Sequence, residues 1–456
     1  MFTMKKIFTT LSLSTLVFLS SMAQNSTNSE TPIRKCGSPK VNATYEEAFQ
    51  NMLQKDEQFA NGKKATVVYN IPVIFHVLHS GVAVNANSAT TGRNLSQAQI
   101  NSQLAILNAD YRKLNTDFST YVTQSAFTSV AADVEINFCA AKVSPTGTVL
   151  AEPGIERISV SSKGWTALPY SMSYIESTVK PGSSWDPTKY YNVWILEFGG
   201  ADVGTLGYAQ FPTIPSGTSP VTDMVGAGGA ANTDGVVIDY HYIGNTGTAL
   251  ASAPYNKGRT LTHETGHWLG LWHIWGDDGS ACTGTDYVTD TPNAGSENYT
   301  CPTTNASVKT DACSASSPGV MYQNYMDYSD DKCMVMFTAG QKARMQAVMA
   351  NCLRRKTLTT STVCSTTGLD ESNSDITFDV FPNPSKGEFF VNVDLLNQQD
   401  YTITVINTLG QTVKEIKQVQ SNGGSVKFDL SDKAEGVYFV TLKSKTVSKT
   451  KRIILQ

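Results

Sequence analysis

Charge is scarce in this sequence: Asp, Glu, Lys and Arg make up 16% of its 456 residues and leave a formal net charge of −4. No stretch gathers Lys and Arg densely enough to grip a phosphate backbone, so nucleic acid is excluded as a partner. Long apolar runs are missing after the first 23 residues, which excludes a transmembrane segment in the mature chain. Beyond residue 374 there is neither histidine nor cysteine, so no metal or thiol chemistry is expected there. Histidine is sparse throughout, with six in the whole chain.

The one apolar run present is short and sits at the N-terminus. Lys5 and Lys6 precede Ile7 to Leu19, and Ser21-Met22-Ala23 has the small-x-small form of a cleavage site. This is the pattern of an export signal removed near Ala23. A length of 456 residues exceeds one ordinary core and predicts at least two domains. Export makes disulfides available to the eight cysteines. Cys282, Cys301, Cys313 and Cys333 cluster in one loop-rich stretch, where four cysteines allow three pairings. Cys36, Cys139, Cys352 and Cys364 are scattered.

Three of the six histidines fall in one run, His263-Glu264-Thr265-Gly266-His267-Trp268-Leu269-Gly270-Leu271-Trp272-His273. On a helix His263 and His267 stand one turn apart on one face, where two imidazoles can grip one zinc ion. Glu264 then lies near the metal without ligating it, the place for a general base. Gly270 can end the helix in the left-handed conformation, and the turn brings His273 in as third ligand. Three protein ligands leave a fourth position open, as in a catalytic zinc site; a closed structural site would want a fourth ligand, usually cysteine. The spacing resembles the extended metzincin signature. Downstream, in Asn324-Tyr325-Met326-Asp327-Tyr328, Met326 stands where a methionine turn would floor the zinc, and Tyr328 can offer a phenol to an oxyanion.

The remaining order is α/β. Residues 24–60 form a polar, partly helical segment expected to be a pro-segment. A catalytic domain follows over 61–353. A buried strand is expected over Val67–His79, with Ile71, Val73, Phe75 and Val77 on one face and with His76 and His79 as strand or core residues rather than ligands. A helix is expected over Ser96–Arg112, strands over Val134–Ala141, Tyr191–Phe198 and Gly235–Tyr240, the zinc helix from Thr260, and a last helix over Thr338–Leu353. Between Cys282 and Met334 the chain is loop-like. There Asp286, Thr289, Asp290 and Thr291 bunch hard oxygens, which suits calcium ahead of a simple solvated loop. A Ser/Thr-rich linker is expected over 354–373, and alternating strands over 374–456 predict a small all-β sandwich.

Together the zinc motif, methionine turn and cysteine cluster resemble the pappalysin family of metzincin proteases, ulilysin-like secreted enzymes. The resemblance spans residues 34–353 and is densest over 259–338. It implies a twisted-sheet upper subdomain, a looped lower subdomain and zinc between them. It also implies His263, His267 and His273 as ligands, Glu264 as base, Met326 as floor and Tyr328 as oxyanion partner. Crossed staples Cys282–Cys313 and Cys301–Cys333 follow from it, as do calcium ligands at Asp286, Thr289 and Thr291. Arg34-Lys35-Cys36-Gly37 resembles a cysteine switch, in which the Cys36 thiolate would block the open zinc position of a zymogen; a disulfide is the other use for this cysteine. At the pocket position that is acidic in relatives cleaving beside basic residues, this chain has Lys332. Asp330 and Asp331 adjoin it, and a retained basic preference through them is expected if Lys332 turns to solvent.

Phe381-Pro382-Asn383-Pro384, Gly387 and Gly436-Val437-Tyr438 resemble the C-terminal sorting domain of the type IX secretion system. That implies recognition by the secretion machinery and export across the outer membrane, to the medium or the cell surface. The expected protein is a secreted zinc endopeptidase acting on proteins or peptides and made as a latent zymogen. The rival from another class is a non-catalytic surface-binding or adhesin protein on the same fold, and a zinc hydrolase of non-peptide substrates is a third reading.

Overall fold

Strand β1 (Tyr69–His79) is the spine of the catalytic sheet, and it is buried at every position from Ile71 to Leu78. A strand apolar on both faces must be covered on both, which is the environment of a parallel sheet. Its first half pairs with β2 (Ile136–Ala140) and its second half with β3 (Ile155–Ser159), both parallel. On its other side β1 pairs with β4 (Tyr191–Leu196), and β4 with β6 (Val236–Asp239), again parallel. The edge is β5 (Gly207–Ala209), antiparallel to β6. His76 is a core residue: its ring lies on Trp194 and bonds Glu156 and Asn192 at 2.5 and 2.9 Å. These contacts come from a computed structural model that describes residues 33–40, 43–55, 68–84, 93–215, 229–304, 308–365, 376–408, 410–444 and 448–456. The signal segment expected over residues 1–23 lies outside them.

Helices cover one face of the sheet. Helix α2 (Gln97–Tyr111) starts at Ser96, whose hydroxyl accepts from the Gln99 amide, and packs on β2 and on the motif helix α3 (Arg259–Trp268). Helix α4 (Ala339–Asn351) begins with a reciprocal capping box between Thr338 and Gln341. Helix α1 (Ala43–Lys55) is not a loose pro-segment element, since Tyr45 and Phe49 belong to the same buried core as Leu261, Trp268 and Met326.

Part of the stretch expected as a linker over 354–373 is helical. Residues Leu353–Leu358 form helix α5, in which Arg354 and Arg355 both pair with the buried Asp234. The Arg355 guanidinium lies 3.8 Å over the Trp268 ring, and Cys364 is bonded to Cys139 of β2. Composition marked this stretch as linker because Ser and Thr dominate it; its anchoring comes from two arginines and one cysteine with partners far off in sequence. Two further bridges, Cys282–Cys313 and Cys301–Cys333, staple the loop-rich segment in the crossed pairing.

The C-terminal unit is all β. It comprises β7 (Ile376–Phe381), β8 (Glu388–Asn407), β9 (Thr412–Asp429), β10 (Gly436–Ser444) and β11 (Ser448–Leu455). The first half of β8 pairs with β7 and the second half with β10, while β9 follows both halves across register shifts between Asp394 and Tyr401. One long hairpin thus serves two faces, which close on Phe389, Val391, Val405, Val440 and Leu442.

Candidate metal centre

The motif helix places its ligands by simple spacing. Gly258, at φ +73°, turns the chain into α3, and the carboxylate of Asp331 accepts from the Lys257 and Arg259 amides at 2.8 and 3.3 Å. The helix ends at Gly270, at φ +87°, where the Leu271 amide returns to the Gly266 carbonyl at 2.9 Å. Gly266 has a packing reason of its own, because a Cβ there would stand 2.4 Å from the Met326 sulfur. Met326 is fully buried beneath the helix, in a turn held by Asn324, whose side chain accepts from the Met326 amide and bonds Gln341 twice.

The three histidines converge. Nε2 of His267 is 3.2 Å from Nε2 of His263 and 3.1 Å from Nε2 of His273. Each Nδ1 faces an acceptor: the Tyr325 carbonyl at 2.7 Å, the Leu271 carbonyl at 2.8 Å and the Asp277 carboxylate at 3.1 Å. Those partners fix the proton on Nδ1, so three lone pairs point at one another. Burial, then the neighbouring imidazoles, holds His263 and His267 well below the usual histidine range. Converging imidazole nitrogens with free lone pairs are what a divalent transition metal requires, and this donor set fits zinc. The ring of Trp275 stacks on His273 at 4.3 Å.

Cys36 completes the cluster. Its sulfur and the three histidine nitrogens lie within 4.8 Å of one another, and it forms no disulfide. Burial first, then the Glu264 charge, pushes its thiol up; a dication among these donors would act in the opposite sense. Glu264 is buried, and desolvation pushes its carboxyl up to about 7. Its Oε2 accepts from the Ser38 hydroxyl at 2.9 Å and lies 3.4 Å from the Cys36 sulfur. Residues 35–37 lie along the edge strand, with the Leu206 amide bonded to Lys35 and the Gly37 amide to Gly207 at 2.9 Å each. Tyr328 packs on His263, His273 and Trp275, and burial drives its phenol far above the usual range.

The pocket residue expected at Lys332 and its neighbour differ in burial. Lys332 is exposed, whereas Asp331 is fully buried. Asp331 Oδ1 takes the guanidinium of Arg34 at 2.5 Å, with the Tyr255 ring 4.7 Å below it. Nothing in a linear reading tied Arg34 to Asp331 or Ser38 to Glu264; their only signal was nearness to Cys36 and to the staple cysteine. Of the calcium candidates, Asp286 and Thr291 come together, the hydroxyl donating to the carboxylate at 2.8 Å. Asp290 instead accepts from Thr338 and Gly340 at the start of α4, and Thr289 is exposed.

Comparison with known proteins agrees with this geometry. Residues 174–350 match a peptidase family described as pregnancy-associated plasma protein-A, and residues 379–456 match a secretion system C-terminal sorting domain. An extracellular metalloprotease of Colletotrichum graminicola is 30% identical over 69% of this chain and 89% of its own length. Mature mirolysin of Tannerella forsythia, solved with a cleaved peptide, is 38% identical over 65% of this chain and 96% of its own, with a TM-score of 0.51. A mutant of promirolysin from the same organism is 36% identical over 71% of this chain and 97% of its own, with a TM-score of 0.55.

Proposed function

Because the chain belongs to the pregnancy-associated plasma protein-A (pappalysin) family of secreted metallopeptidases and ends in a type IX sorting domain, we propose that it is a zinc endopeptidase kept latent by its own N-terminal segment. The observation that carries this reading is the convergence of three Nε2 atoms, each with its Nδ1 proton already engaged. His263, His267 and His273 would hold the ion. Bound there, zinc supplies Lewis acidity to a scissile carbonyl and makes water more acidic.

The protein's own groups do the rest. Glu264, with its carboxyl raised to about 7, is poised both to take a proton from the attacking water and to return it to the leaving amine. Tyr328, held neutral by burial, donates its phenolic proton to the oxygen that gains charge. Asp331, buried and facing a guanidinium, supports a preference for arginine or lysine beside the scissile bond.

Latency is supported by three simultaneous contacts of residues 34–38. Cys36 stands among the ligands, Ser38 occupies Glu264, and Arg34 fills the Asp331 pocket. A calcium ion on Asp286 and Thr291 is the further cofactor proposed, with Thr289 contributing its carbonyl; desolvation has raised the Asp286 carboxyl to about 7, and a hard cation would compensate its charge. Loss of thermal stability on calcium chelation tests it.

The peptidase reading is tested with Glu264→Ala in the processed enzyme. Bound zinc by elemental analysis should stay at one equivalent while casein cleavage is lost. Cleavage retained by the variant would end this assignment of the base and favour a different hydrolytic arrangement.

A further inference from the structure

Helix α1 grips the enzyme on a surface separate from the one that Cys36 touches. Glu46, buried within α1, forms a two-pronged ion pair with Arg344 of α4 at 2.5 and 2.6 Å. The indole Nε1 of Trp272 donates to the same carboxylate at 2.8 Å. Arg344 is itself aimed by its Nε, which donates to the Gly270 carbonyl at 2.6 Å. Tyr45 stands edge-on to Phe211 and Trp272, and its hydroxyl donates to the Pro212 carbonyl at 2.8 Å. One turn on, Phe49 lies 3.8 Å beneath the Arg344 guanidinium. The helix thus lies in a groove with aromatic walls and the Arg344 cation at its base.

This groove is joined to the metal centre. Trp272 precedes the ligand His273, Gly270 is the motif glycine, and the ring of Phe211 is 5.4 Å from that of His267. Residues 35–37, by contrast, pair with residues 206 and 207 at the β5 edge and set Cys36 beside the three histidines. The two anchors use different residues on both sides of the contact.

We propose that, once the pro-segment has been cut away, this groove is a binding site of the processed enzyme for a helical segment with a carboxylate between aromatic residues, and that its occupant is the released pro-segment. The inference rests on the latency reading above and adds to it a second, thiol-independent hold. The chemistry selects this ligand: an emptied groove leaves Arg344 without its two-pronged carboxylate partner and the Trp272 indole N–H without its acceptor, and a planar guanidinium prefers a carboxylate that meets it with two oxygens. Tyr45, Glu46 and Phe49 are spaced to lie on one helical face, so a single helical turn presents all three.

The test uses the processed protein carrying Glu264→Ala, matured in trans by wild-type enzyme, so that the probe is not consumed. The probe is a fluorescent peptide of residues 33–55 with Cys36→Ser. Fluorescence anisotropy should show saturable binding without the thiol, and Glu46→Gln in the peptide should weaken it at least tenfold. Cys352, whose sulfur is 3.9 Å from that of Met52 in α1, gives an independent readout. Its reaction with a thiol reagent should appear on processing and slow at least fivefold when the peptide is added. Equal binding by the Glu46→Gln peptide overturns the proposal, as does loss of all binding with Cys36→Ser. Residues 43–55 found by mass spectrometry in the processed protein would also overturn it, because α1 would then be a permanent part of the fold. The readouts themselves are binding and thiol reactivity, so their failure is distinct from a failure of the peptidase reading, which the maturation step in trans and cleavage assays report.

Discussion

Asp331 does two jobs with two oxygens. Oδ2 accepts amides at the start of the motif helix, and Oδ1 faces the Arg34 guanidinium. Asp331→Asn keeps an oxygen for the helix and removes the charge that faces Arg34, the charge proposed to select basic substrates. Truncating one member of a buried charge pair costs about 2–5 kcal/mol, so kcat/KM for arginine-containing peptides should fall roughly 30-fold or more. Lys332→Ala should leave the cleavage profile unchanged, since that side chain is exposed. Sites mapped by mass spectrometry on a peptide library decide between the two residues; a profile that follows Lys332 and not Asp331 refutes the assignment. Tyr328 gives a second residue-scale expectation. If its phenol serves the developing oxyanion, Tyr328→Phe should lower kcat by about 10²–10³, with KM little changed. A KM effect at constant kcat would make it a binding residue only.

At the scale of elements, the end of the catalytic unit is set by α5 and the bridge that follows it. Arg355 pairs with Asp234 and stacks on Trp268, and Cys364 closes onto β2. Breaking a buried pair by removing one partner costs about 3–5 kcal/mol, a large share of a typical domain's net stability of about 5–15 kcal/mol. A chain ending at residue 365 should therefore melt with the wild-type catalytic unit, and one ending at 353 should melt far lower or fail to fold. Calorimetry of both truncations measures this, and equal melting temperatures would show that α5 is dispensable. Residues 34–38, which reach the metal centre, are a second such stretch. The Cys36→Ala precursor should become active sooner than wild type, yet remain slower than processed enzyme, because Arg34 and Ser38 keep their partners. Progress curves from freshly purified precursor test this, and unchanged latency would mean that the thiol contributes nothing.

At the scale of the whole molecule, chemistry and address are divided. Among the described residues, the hydrophobic core of the C-terminal sandwich is built from Phe, Val, Ile, Leu and Tyr, and its sequence has no histidine or cysteine. Deleting residues 374–456 should leave kcat/KM unchanged while the protein accumulates inside the outer membrane. Activity and fractionation are measured on the same cells. A well-folded but inactive truncation would contradict the division.

What the sequence determined by itself was local. Helical spacing alone places His263 and His267 on one face with Glu264 beside them, and Gly270 lets the chain turn back to His273. Strand patterning likewise located β1, β2, β4 and β6 of the sheet and β10 of the terminal unit, and missed β3, β5, β7 and β11, because the period depends on neighbours a few residues away. Tertiary structure alone decided the long-range pairings: Arg34 with Asp331, Glu46 with Arg344, Arg355 with Asp234, and Cys139 with Cys364. It also drew α1 into the core and anchored Arg354, Arg355 and Cys364 to distant partners. The physical reason is that a buried charge or thiol takes whatever partner the packed fold brings within roughly 3 Å, and sequence distance has no bearing on that once the chain has collapsed.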